Sequence, residues 1–147
     1  MKIFFAYRFR GENYETLGEV LLPLLGGLKA AGHDIFCSYT IEKKFREGGY
    51  TMQEIYGFCL EEMEKGYETF CALVKSNDRS RGMDMEFRKA VELDIKRVLF
   101  IRRGLEFPNF RAVANKTIEF GDYEDLYRIV EDPDLFKIGS AGVQQSV

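Results

Sequence analysis

The sequence predicts a single α/β domain: a doubly wound, flavodoxin-like sheet of about five parallel strands flanked by helices. Three observations predict it. Residues 3–7, 69–74 and 97–101 are short, nearly continuous apolar runs. Such runs lack the alternation of a half-exposed strand and suit strands covered on both faces. Between the runs lie segments with helical periodicity, and strands alternating with helices imply right-handed crossovers in one parallel sheet. The chain's 147 residues, 46% of them apolar and 14% aromatic, are ample for one core and give no reason to expect a second domain. The opening strand is expected to lie centrally, with strand order near 2-1-3-4-5.

After the first strand comes the loop Arg8-Phe9-Arg10-Gly11, two guanidinium groups beside a glycine that lets backbone approach a ligand. Arg8 and Arg10 suit recognition of phosphate or carboxylate; the plainer alternative is a pair of solvated loop charges. Tyr14, Leu17, Val20, Leu21, Leu24, Leu28 and Ala31 then recur at helical spacing up to Gly32, with Pro23 expected to kink the helix or delay its start. Residues 34–38 form the second strand. Residues 39–50 are polar and charged with little apolar periodicity, which reads as a loop, either an ordinary surface excursion or a mobile cover over the site. Thr51 and Glu54 have capping-box spacing, and Met52, Ile55, Tyr56, Cys59, Leu60 and Met63 mark the apolar face of the helix they start. Residues 117–120 read as a short fifth strand. Asp122 is a suitable cap for a last helix bearing Tyr123, Leu126, Tyr127, Ile129 and Val130. We expect the domain to span residues 1–132 and residues 133–147 to form a flexible tail.

A net charge of −3 provides no broad basic field, which argues against binding a nucleic-acid polymer but leaves room for a single nucleotide. Cys37, Cys59 and Cys71 have neither an even count nor C-x-x-C spacing, so they read as buried thiols of a cytoplasmic protein. The single His33 follows Gly32 at a helix end and suits a capping role; no clustered ligands point to a metal, and no motif points to a cofactor. No apolar run approaches the length of a membrane span, and no membrane association is expected.

The stretch Ser80-Arg-Gly82-Met-Asp-Met-Glu86-Phe-Arg-Lys-Ala90 falls at a strand-loop-helix corner. Open α/β sheets bind ligands at the carboxyl ends of their strands, where helix N-termini point unpaired N–H groups at the site. Glu86 lies at the margin of this helix's apolar stripe, with Met83, Ala90 and Leu93 as neighbours on its face. From these residues alone, Glu86 is either a site carboxylate or a group that only complements the helix dipole.

Over residues 1–130 the sequence resembles the nucleoside 2-deoxyribosyltransferase superfamily, including its members that hydrolyse nucleoside monophosphates. The resemblance rests on the opening strand and its Arg-Gly loop, on Gly66-Tyr67-Glu68 leading into the third strand, and on Ser80-x-Gly82-x-x-x-Glu86-x-x-x-Ala90. It implies that Glu86 is a nucleophile toward the sugar and that Glu68 replaces the site's usual aspartate. It further implies that Tyr7, Arg8, Arg10, Gly11, Ser80 and Gly82 bind a nucleoside or nucleotide, and that the protein is a homodimer or higher homo-oligomer. Tyr7, Glu68 and Arg88 depart from the family pattern. The chemistry suits these residue types, because a carboxylate stabilises or captures the oxocarbenium-like sugar formed when a C1′–N bond breaks. Two rival readings are a TIR-like NAD glycohydrolase, weakened by Met83-Asp84-Met85 where that family has Trp-Cys, and a non-enzymatic flavodoxin-like binding or assembly module.

Overall fold

A computed structural model describes residues 1–8 and 11–137. Its elements run β1 (Lys2–Ala6), α1 (Tyr14–Ala30), β2 (Asp34–Cys37), α2 (Tyr39–Glu47), α3 (Met52–Met63), β3 (Thr69–Val74), α4 (Arg81–Glu92), β4 (Lys96–Arg102), α5 (Pro108–Val113), β5 (Lys116–Phe120) and α6 (Tyr123–Ile129). The five strands form one parallel sheet in the order β2-β1-β3-β4-β5, as the sequence predicts. All six residues of β3 are buried, so its uninterrupted apolar run, Thr-Phe-Cys-Ala-Leu-Val, matches a strand with a helical layer on each side.

Alternate strand residues feed two cores. Phe5, Cys71, Leu73, Val98, Phe100 and Ile118 pack under α1 and α6 on one face. Phe4, Phe70, Ala72, Leu99 and Ile101 pack under α3, α4 and α5 on the other. The period-2 geometry of strands makes this division automatic once both faces are covered. Phe70 lies at the centre of the second core, with ring centroids 5.9 Å from Phe4 and 4.9 Å from Phe87.

Local signals explain most helix starts. Thr51 and Glu54 form both bonds of the capping box at α3, and Asn13, Ser80 and Asp122 accept from the first-turn amides of α1, α4 and α6. Gly32 has φ of +95°, the left-handed conformation suited to the turn after α1. Pro23 neither breaks nor delays α1; the ring lies on the helix's exposed side and the helix is continuous across it.

The expectation of a loop over residues 39–50 is corrected by α2. Its buried side is Tyr39, Glu42 and Phe45, three residues at helical spacing of which the middle one is a carboxylate. The Tyr39 hydroxyl donates to the Tyr14 carbonyl oxygen at 2.9 Å, lying across Gly18, where any side chain would collide with it. The packed body also continues past residue 132. Leu135 and Phe136 are buried, the Phe136 ring stands edge-on to His33, and the Leu135 carbonyl accepts from the buried Lys116 ammonium at 2.7 Å. Residues 138–147 of the expected tail lie outside the described residues. Among the described residues no helix is long and apolar enough to cross a membrane.

Replacing Phe70 by Ala removes a fully buried ring from the middle of the sheet. The expected cost is about 3–5 kcal/mol of unfolding free energy, read as a lower urea midpoint with an unchanged m-value.

Candidate active site

Strands β1 and β3 are neighbours, but the chain leaves them toward opposite faces, to α1 and to α4. The reversal opens a crevice at their carboxyl ends, the usual ligand position in such sheets. A narrow crevice of only about 20 Å³ lies there, walled by Tyr7, Arg8 and Glu12 after β1, by Lys75, Asp78, Ser80 and Met83 after β3, and by Phe107 and Phe110 of α5 and its approach. Charge in it is balanced. Glu12 accepts from Arg8 at 2.9 Å and from Lys75 at 2.8 Å, while the exposed Asp78 carboxylate lies 3.5 Å from Arg8. Ser80 caps α4 by accepting from the Met83 amide at 3.2 Å, so its hydroxyl oxygen is engaged at the helix entrance.

Glu86 lies one turn further along α4. The residue is partly exposed, and the partial burial of its carboxyl, with no cation beside it, pushes its pKa up to about 8. No described residue forms an ion pair or hydrogen bond with it. Its charge reaches the buried thiols of Cys37 at the end of β2 and Cys59 on α3, helping to raise both above the ordinary thiol range. The Glu86 carboxyl therefore faces α3 and the carboxyl end of β2.

Tyr7 connects the cleft to this polar interior. It is buried, and its hydroxyl donates to Glu42 Oε2 at a long 3.4 Å. Burial pushes its phenol far above the ordinary tyrosine range, so it is neutral. Glu42 is only 3% exposed and receives both Nε and Nη2 of Arg46 on Oε1, at 3.2 and 2.6 Å.

The residues expected at the site are not all brought together. Tyr7, Arg8 and Ser80 line the cleft, and Gly11, at φ +79°, sits in the loop beside Arg8. Arg10 lies outside the described residues. Gly82 has a packing role: a Cβ there would come within 2.7 Å of the Tyr56 ring, so the missing side chain lets α3 close on α4. Glu68 is at the wrong end of the sheet. It precedes the first residue of β3, is exposed, and accepts from the Lys2 amide at 3.2 Å. The six-residue strand puts it about 20 Å from the carboxyl edge. Lys75, Glu12 and Glu42 were not anticipated. Lys75 had a usable signal, since it is the first residue beyond a buried strand; Glu42, inside a polar run, had none. Among the described residues no group of three or more His, Cys, Asp or Glu side chains is arranged to hold a metal ion.

The raised pKa has a stability consequence. With a folded-state pKa above its unfolded value of 4.5, Glu86 contributes stability in full below pH 4.5 and loses it as pH rises through about 8. Glu86→Gln, which stays neutral, is expected to match the wild-type melting temperature near pH 4 and to exceed it by several degrees at pH 9. Equal melting temperatures across the range would mean that the carboxyl is solvated.

No family model matches the sequence, and no curated protein matches it. Among solved structures the chain is similar to the Clostridium botulinum CMP N-glycosidase BcmB, with a TM-score of 0.61 and 13% identity over 87% of this chain and 95% of that one. The arrangement of strands and helices is thus that of a nucleoside 2-deoxyribosyltransferase-like fold, the fold that the sequence motifs imply.

Proposed function

We propose that the protein cleaves or transfers the N-glycosidic bond of a nucleoside or nucleoside 5′-monophosphate, with Glu86 as the nucleophile. The observation that carries this reading is the unpaired, partly buried carboxyl of Glu86 on α4, the helix whose cap Ser80 lines the switch-point crevice. Burial without a cation is costly for a carboxylate in the resting protein, and a sugar building positive charge at C1′ supplies the missing partner. The interaction strengthens as the bond breaks, which is the requirement for catalysis rather than mere binding. In the first step the C1′–N bond breaks with its electron pair leaving on the base, and a Glu86 oxygen bonds C1′. In the second, water or another base attacks C1′ and the carboxylate departs. The fold similarity to a CMP N-glycosidase supports the substrate class.

Arg8 and Lys75 support a phosphate at the mouth of the cleft, where it would compete with Glu12 and Asp78 for the two cations. Ser80, Gly11 and Arg10 remain candidate contacts there. The assignment of a second catalytic carboxylate to Glu68 gains no support from its position, and we do not retain it.

Separate incubations with nucleosides, nucleoside 5′-monophosphates and NAD, with and without a second free base, test the reading by chromatography of released base. Release from a nucleoside or monophosphate that falls at least about 100-fold in Glu86→Ala is expected. Release from NAD alone would replace the reading with a TIR-like glycohydrolase. No release from any substrate by folded protein would sink it. Two further outcomes follow from the charges. The value of kcat/KM should climb with pH toward a plateau above about 8, as free Glu86 ionises. Lys75→Met should raise KM for a monophosphate about tenfold while leaving the corresponding nucleoside within a factor of two.

A further inference from the structure

We propose that the outer face of α3 and α4 binds a second copy of this chain, packed about a two-fold axis that runs along the groove between the two helices. Tyr56 and Leu60 on α3 and Met85 on α4 belong to neither core, line this groove and stay partly exposed. Gly57 lies beside them, exposed in the middle of α3, and a Cβ there would meet nothing within 4 Å. A glycine inside a helix costs stability, and packing within one copy does not require this one. A bare backbone flanked by aromatic, leucine and methionine side chains suits close approach of another surface.

The charges on this face select the partner and its orientation. Exposed Glu61 and Glu64 lie on α3, and exposed Arg81 and Arg88 on α4. Glu64 is paired with Lys89 at 2.7 Å, whereas Glu61, Arg81 and Arg88 have no ion-pair partner among the described residues. The two helices lie on the same face of the parallel sheet and both return the chain to its amino edge, so they run in the same direction. An axis across them would set α3 on α3 and α4 on α4, like charge against like. An axis along the groove sets the acidic α3 of each copy over the basic α4 of the other, the self-complementary arrangement a two-fold interface needs. Contacts within the chain give the register. The Tyr56 ring fills the space at Gly82, and Lys89 meets Glu64, so these pairs are level along the two helices. A rotation about the groove preserves height. Met85 then enters the gap between Gly57 and Glu61 of the second copy, and Arg88 lies between its Glu61 and Glu64. Glu92 falls past the end of the facing α3 and meets no acid there. Arg88, whose bulk departs from the family pattern, thereby acquires a counter-charge that the single chain does not provide.

Sedimentation velocity on the full chain at about 1 to 100 µM tests the proposal by mass alone, independently of any enzymatic activity. A dimer that dissociates on dilution is expected; a monomer at every concentration would overturn the proposal. Gly57→Gln should raise the dimer dissociation constant at least about tenfold by blocking the gap for Met85. Its melting temperature in dilute solution should equal or exceed that of the wild type, because the new side chain enters open space in one copy. Glu61→Arg and Arg88→Glu should each weaken the dimer about tenfold, and the double variant should recover most of the loss. A dimer unaffected by Gly57→Gln and by both single charge reversals would overturn this face as the interface. A double variant weaker than either single variant would overturn the register.

Discussion

The pairing of β1 with β3 is the constraint on which the rest of the molecule depends. It places the first strand inside the sheet, and both its neighbours, β2 and β3, reach it through right-handed crossovers that must leave toward opposite faces. Two cores follow from that division, and a crevice at the carboxyl edge follows from the same reversal. Neither the crevice nor the position of α4 beside it needs a dedicated device. Both result from how five strands are ordered, and the side chains at that edge then decide what the crevice can do.

Near that edge the protein holds two carboxylates in opposite circumstances, Glu42 buried and Glu86 partly exposed. Glu42 is matched by Arg46 and Tyr7, so its charge is compensated in the resting fold. Glu86 is matched by no described residue, and desolvation pushes its pKa up to about 8. A structural role would favour pairing both. Leaving one unpaired lowers stability at neutral and alkaline pH and, on the proposed function, provides a group whose ionisation is favoured by positive charge developing on the sugar. On the proposed function, this asymmetry in pairing distinguishes the proposed nucleophile from a carboxylate held by the scaffold.

The fold was legible because its signals are local and redundant. The β3 run, the Thr51-Glu54 capping box, and Gly32 after α1 each act within a few residues and agree with the larger pattern. The misses share a cause. Helix α2 was hidden because its inner stripe contains Glu42 and is completed by Tyr39 folding over Gly18, two contacts that depend on the tertiary structure. Pro23 looked like a break because sequence alone could not show that its ring faces solvent. Glu68 was given a site role by motif order, but one strand length separates the two ends of β3, and a motif does not record on which end a residue lies. Gly82 fitted the motif for a reason unrelated to ligand: the Tyr56 ring occupies the space of its missing side chain.

The distribution of charge at the cleft bears on what enters it. Arg8 and Lys75 share Glu12, and Asp78 lies beside Arg8, so both described cations of the crevice already have carboxylate partners. On the proposed function, a phosphate is recognised by exchange at contact, competing with the 66% exposed Asp78 and with Glu12 for these cations. An uncharged ribose end lacks that compensation and leaves the existing pairs undisturbed. Exchangeable ion pairs therefore suit the phosphorylated substrate of the proposed function, with Tyr7 on the crevice wall and Glu86 on α4 as the groups proposed for its sugar.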